Sequence, residues 1–173
     1  LLATQTASGS ANLSFTSGID DTYDKYVFKF YNIHPATDGV TFEFQGSTNG
    51  GSTYGVTITS SVFQAYHQEN DAGAGIQYAT NNDLAQSTSF QKITGDLGNQ
   101  NDECGSGIVQ LFNPSSTTFV KHFITRENGQ QNNEQSVNVF AAGYFNTTSA
   151  INAVQFKMSS GNFDGVIKLY GIS

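Results

Sequence analysis

Apolar and polar residues alternate with a period of two along much of this chain. From Lys25 to Ile33, Tyr26, Phe28 and Phe30 share one parity while Lys25, Val27, Lys29 and Tyr31 take the other, which predicts a half-buried strand. The segment His34 to Gly39 follows, with Pro35 unable to donate to a ladder and Asp38-Gly39 favouring reversal of the chain. Val40, Phe42 and Phe44 then point one way and Thr41, Glu43 and Gln45 the other. Asn49-Gly50-Gly51 separates them from Tyr54, Val56 and Ile58 at the same period, predicting a hairpin with one wet face.

The alternation fades from about Gln68 to Gly105, where Gly73, Gly75, Asn81, Asn82, Gly95, Gly98 and Asn99 interrupt short apolar pieces around Tyr78 and Phe90. A connection of that length is usually functional, an interface, or partly structured. The period returns over 108–112, 119–125, 137–145, 151–158 and 166–172. Val137 to Phe145 is apolar or small on both parities, the pattern of a central strand packed on both sides. With Leu13 and Phe15 marking one more, eight or nine short strands predict a single domain over 1–173. Its expected fold is an all-β, antiparallel two-sheet sandwich of jelly-roll type, with a core that includes Phe28, Phe30, Phe42, Phe44, Val56 and Ile58.

Composition sharpens this picture. Only 12% of the 173 residues are charged whereas 37% are hydrophobic, so the polarity comes from Ser, Thr, Asn, Gln and Gly and suits sheets and turns better than exposed helices. Seven Lys and Arg against fourteen Asp and Glu give a net charge of −7. With no basic run, this argues against nucleic acid as a partner. No apolar run approaches the ~20 residues of a membrane span, and Leu1-Leu2-Ala3 is too short for a signal h-region. The single Cys104 makes neither an intramolecular disulfide nor a thiolate metal site by itself.

No catalytic constellation emerges, and no cofactor or metal motif. Asp20, Asp21 and Asp24, and the stretch from Asp96 to Glu103, offer oxygen ligands for calcium but lack EF-hand spacing and read as solvated loops. Glycoside hydrolysis needs two carboxyl groups facing each other across a cleft. Glu43, Glu69, Glu127 and Glu134 are the candidates, without the Glu-x-Asp-x-x-Glu pattern of jelly-roll glucanases. His34, His67 and His122 have no zinc-like spacing, and His122, alternating with Val120 and Ile124, reads as a core or subunit-interface residue. Gly105-Ser106-Gly107 lacks the spacing of a nucleophile elbow.

Among eight tyrosines and no tryptophan, most fall within strand patterns. Tyr66 and Tyr78, beside and within the long connection, are the candidate residues for a partner- or glycan-binding surface. The sequons at Asn12 and Asn146 are expected by chance in so Asn-, Ser- and Thr-rich a chain.

Five segments carry a resemblance when taken together: Gly18 to Tyr26, Asn32 to Gly39, Leu111 to Ser116, Gly143 to Asn146 and Gly165 to Gly171. They are similar to a family of small virion-associated proteins of tailed bacteriophages, especially marine and cyanobacterial podoviruses, and the likeness spans nearly the whole chain. The resemblance implies a non-enzymatic structural protein of the virion, fibre-like or decorating the capsid. It would be assembled in the bacterial host cytoplasm with other virion proteins and copies of itself as partners. A host-surface glycan is the further partner to consider. The alternative is a carbohydrate-binding or glycan-hydrolysing sandwich module.

Overall fold

The computed structural model describes all residues from Leu1 to Ser173. Twelve strands form: β1 Ala3–Ser10, β2 Asn12–Phe15, β3 Lys25–Pro35, β4 Phe42–Ser47, β5 Ile58–Gln68, β6 Ala74–Tyr78, β7 Gln91–Lys92, β8 Gly105–Phe112, β9 Lys121–Gln131, β10 Gln135–Phe145, β11 Ala153–Met158 and β12 Phe163–Ile172. No helix is present, so none is long and apolar enough to cross a membrane.

Eight strands in the order β1-β12-β3-β8-β9-β10-β5-β6 face four in the order β2-β11-β4-β7, and every pairing is antiparallel. Four of the pairs are nested: β4 with β7, β3 with β8, β2 with β11 and β1 with β12. An antiparallel ribbon nested in this way and wrapped into two sheets is a jelly roll. The two remaining hairpins, β5–β6 and β9–β10, are insertions between successive strands of that ribbon. Both join the same sheet beyond β8, extending it by four strands past the smaller sheet.

The main core lies between the sheets and is aromatic. Phe28 and Phe30 of β3 meet Phe42 and Phe44 of β4, with Phe156 of β11 and Phe15 of β2 among them. The expected core residues Phe28, Phe30, Phe42, Phe44 and Ile58 are all buried, and Val56 packs against them half-buried. In β3 a bulge intervenes between Phe30 and Ile33, with Asn32 at φ 49° and its amide donating to Ser106 Oγ at 2.9 Å. The extra residue lets Phe30 and Ile33 both point inward despite their odd separation. A second, smaller cluster of Val62, Val137, Val139 and Ala141 fills the inner side of the extension.

Two expectations from local pattern are corrected. Residues 40–58 form no hairpin, because β4 lies in the small sheet and β5 in the large one. The intervening residues cross between sheets and cover the outer side of β4. Thr41, Glu43 and Gln45 are therefore buried instead of wet. Gln45 Nε2 is directed at the carbonyls of Val56, Thr88 and Ser89 at 2.9–3.2 Å, and Glu43 pairs with Lys157 at 3.2 Å. A buried amide with satisfied donors holds the covering segments in place.

The stretch after Gln68 contains β6 and β7 and contributes buried Ile93 and Leu97 to the core. Leu97 bridges Val40 on one side and Gln131 on the other.

Close packing around β8 leaves no room for side chains at selected positions. A Cβ on Gly107 would lie 2.4 Å from the Arg126 carbonyl oxygen, 2.8 Å from Glu127 Cα and 2.7 Å from the Phe30 ring. Two of these are backbone atoms and cannot rotate away. Gly107→Ala is expected to cost about 1–3 kcal/mol through overpacking, measured by denaturant unfolding. A variant as stable as the parent would show that β8 and β9 separate freely.

Candidate functional site

The outer face of the eight-stranded sheet is the surface with most chemistry on it. Register places its side chains in rows across the strands. One row runs Thr4, Lys168, Lys29, Ile108, Arg126, Phe140, Phe63 and Tyr78. Toward one end follow a row with Tyr170, Val27, Gln110, Ile124, Ala142 and Ser61, and a row with Lys25, Phe112, His122, Tyr144 and Thr59. On the opposite side lie Asn128, Asn138, Ala65 and Ile76.

Large apolar side chains are concentrated here. Of nine that remain exposed in the whole chain, six (Tyr31, Phe63, Ile76, Tyr78, Ile124 and Ile172) stand on strands of this face. Ile76 is 78% exposed, and Phe63 and Ile124 are 47% exposed each. Phe63 stacks on Phe140 with ring centroids 4.8 Å apart and planes at 4°, and the Arg126 guanidinium lies over the Phe140 ring at 5.2 Å. Lys29 lies over Tyr170 at 5.3 Å and Lys168 over Tyr31 at 5.7 Å. Cations laid over rings in this way are held in place while keeping one side open to a partner.

Near one end the face carries a shallow groove of about 570 Å³, walled by Phe112, His122, Ile124 and Tyr144 with Thr59 and Ser61 on its edge. His122 and Tyr144 meet edge-on at 5.9 Å. A neighbouring depression continues past Phe112 and His122 to the exposed Phe119. Apolar residues on the outer parity of β10 were expected to be covered on both sides; only the inner parity is, because no second sheet lies beyond this face.

The two tyrosines singled out from sequence do not converge. Tyr66 stands on the inner parity of β5, half-buried, with its ring packed against the Val62, Val137 and Val139 cluster. Tyr78 sits on the edge strand β6 opposite Phe63, and its hydroxyl donates to Asp83 Oδ2 at 2.7 Å. That hydrogen bond raises the phenol above its usual range, with a smaller contribution from burial. Only Tyr78 belongs to the outer face. Phe63, Ile76, Ile124 and Arg126, which sequence reasoning missed, carry more of it. Their signal was apolar residues on the parity opposite to the core.

An amide-lined cleft of about 470 Å³ opens beside β6, between Gln64, Gln77 and Gln131 on one side and Asn82, Lys92 and Asp96 on the other. Asp20, Glu43 and Glu127 lie away from this cleft. Asp20 accepts from the Thr22 amide and the Tyr26 hydroxyl at 2.9 Å each, and hydrogen bonding from the Thr22 side chain first, then from these two groups, holds its carboxyl below the usual range. Glu43 is raised by burial, against the opposing pull of Lys157. Glu127 lies in the core. No three His, Cys, Asp or Glu side chains gather as a metal site.

No family model and no curated protein matches this chain. A solved structure from Bacteroides ovatus, described as a structural genomics protein of unknown function, is similar at 6% identity with a TM-score of 0.32. The match covers 68% of this chain and 46% of that one, so the chain spans about half of that protein's length. A likeness this weak carries no argument about fold or function.

Proposed function

We propose that this chain is a non-catalytic structural module of a tailed-phage virion that docks a protein partner through the outer face of its eight-stranded sheet. The observation that carries the docking reading is the gathering of six of the nine exposed large apolar side chains on that one face, with Phe140, Phe63 and Tyr78 contiguous across β10, β5 and β6, since contiguous apolar patches mark interaction surfaces. The virion assignment rests on the family resemblance of the sequence. The jelly roll agrees with it by analogy only, because capsid domains and lectins share that fold. Mass spectrometry and cryo-electron microscopy of purified particles test the assignment. A chain absent from mature virions would sink it.

Serine at both Phe63 and Ile124 tests the face. Both side chains are half exposed, so the double variant is expected to keep its fold, with a stability loss of about 1–2 kcal/mol. Its incorporation into particles is expected to fall at least about tenfold, a 1.4 kcal/mol loss of docking energy, read by quantitative blotting. Normal incorporation would move the docking surface elsewhere.

The amide-lined cleft beside β6 favours a second reading, glycan binding, because several amides, a lysine and a carboxylate there present hydrogen-bonding groups suited to sugar hydroxyls. A glycan array decides between them: binding abolished by Gln64→Ala, with particle incorporation unaffected by the Phe63 and Ile124 changes, would favour the glycan.

A further inference from the structure

The basic residues that are scattered in sequence are assembled by the fold. Lys25, Lys29, Arg126 and Lys168, four of the seven, project from the outer face of the large sheet, the last three in a single row. None of the four is in an ion pair, whereas Lys157 is paired with Glu43. Lys121 is buried, with its ammonium on the carbonyls of Phe119 and Thr147 at 2.9 and 3.1 Å. Removing the four leaves three basic side chains against fourteen acidic ones, a charge of −11 on the rest of the molecule. Acidic groups meet the face at its rim, where Glu69 accepts from Gln130 Nε2 at 2.9 Å, Asp71 meets His67 at 3.0 Å and Asp83 accepts from the Tyr78 hydroxyl at 2.7 Å, and where Asp24, Asp102 and Asp164 lie; the Lys29, Lys168 and Arg126 row itself carries none.

We propose that this face is the docking seat for the acidic surface of a second copy of the chain, with the exposed loop that carries Asp20, Asp21 and Asp24 seated on the Lys29, Lys168 and Arg126 row. This rests on the assembly reading above and names its partner. Charge complementarity supports it, because the chain carries both a cationic face and a strongly anionic remainder. The apolar residues favour a protein occupant: Ile76 and Ile124 are branched aliphatics with no flat ring to stack on a sugar or a base, while Phe, Tyr and Arg are enriched at protein interfaces. A nucleic acid would meet the repulsion of the remaining −11. Size also fits. Eight strands at about 4.8 Å spacing and some seven residues of length give a face of about 900 Å², against about 800 Å² per partner in a standard interface.

Sedimentation of the full chain at rising concentration tests this, first in about 50 mM and then about 500 mM salt. The wild type is expected to associate and to weaken at least about tenfold in the higher salt. The triple variant Lys29→Glu, Lys168→Glu, Arg126→Glu and the double variant Asp21→Lys, Asp24→Lys are each expected to be monomeric. An equimolar mixture of the two is expected to associate again, which also shows that both are folded. Asp20 is left intact because it anchors the Tyr26 hydroxyl. A wild type that stays monomeric, variants that associate as the parent does, or a mixture that stays dissociated would each overturn the proposal. A monomeric chain found in purified particles would overturn self-docking and leave the virion reading standing, whereas an associating chain absent from particles would do the reverse.

Discussion

Replacing Phe156 by Ala is expected to destabilise the fold by about 3–5 kcal/mol, a large share of the roughly 5–15 kcal/mol that holds a domain together. Phe156 is fully buried on β11 at the centre of the aromatic core. Its ring stacks on Phe42 at 5.7 Å and Phe44 at 6.1 Å, meets Phe15 edge-on at 6.2 Å, and tilts against Phe28 at 5.2 Å. These partners come from two strands of the small sheet, β2 and β4, and one of the facing sheet, β3, so truncation opens a cavity that no single side chain can close. Each aromatic pair also contributes about 0.5–1.5 kcal/mol beyond its buried area. The thermal midpoint is expected to fall by roughly 6–20 °C for a chain of this length. Phe156→Leu, which refills most of the volume, should recover the larger part. A midpoint within about 3 °C of the parent for the alanine variant would contradict this role for Phe156.

Glu127 is expected to make the protein less stable as pH rises, and Glu127→Gln to remove that dependence. The carboxyl stands on the inner parity of β9 between Gly107 and Val139, where Gly105, Gly129 and Leu97 surround it. Neither oxygen has a hydrogen-bond partner, and it forms no ion pair. Burial therefore pushes the carboxyl well above the usual carboxylate range. The sign follows from the unfolded chain, in which the same group ionises near about pH 4.3. Below that pH both states hold the proton and nothing is lost. Above it only the folded state holds it, so stability falls by about 1.4 kcal/mol per pH unit until the folded carboxyl also ionises. The advantage of Glu127→Gln over the parent should thus be smallest near pH 4 and grow toward pH 7, read from urea midpoints across that range. Glu43, also raised by burial, is unchanged in both proteins and cancels in the difference. Parallel pH curves for parent and variant would refute the assignment.

Glu127 also shows where local sequence was silent. The alternation of Phe123, Thr125 and Glu127 marks one parity of a strand, but nothing nearby says that Gly105, Gly107 and Leu97 will close over it. Gln45 gives the same lesson: it reads as outward from a hairpin, and becomes buried because the chain leaves one sheet for the other after Ser47. A period of two separates the sides of a strand without saying which is covered.

By itself, the sequence determined that this chain is built of strands and that Phe28, Phe30, Phe42 and Phe44 share the sides that form the aromatic core, since period-two parity and aromatic content are local properties of a pleated backbone. Tertiary structure alone decided how the strands nest, why 42–47 and 58–68 part into different sheets, and how two inserted hairpins widen one sheet beyond its partner. It also brought Lys29, Arg126 and Lys168 into one row with Phe63 and Phe140. Those residues include neighbours from 14 to 139 positions apart, and outside the single hairpin that joins Arg126 to Phe140 only pairing between distant strands makes them adjacent. The physical reason is that a strand's parity is fixed by its own dihedral angles, whereas its neighbours are fixed by hydrogen bonds to segments that sequence order does not reveal.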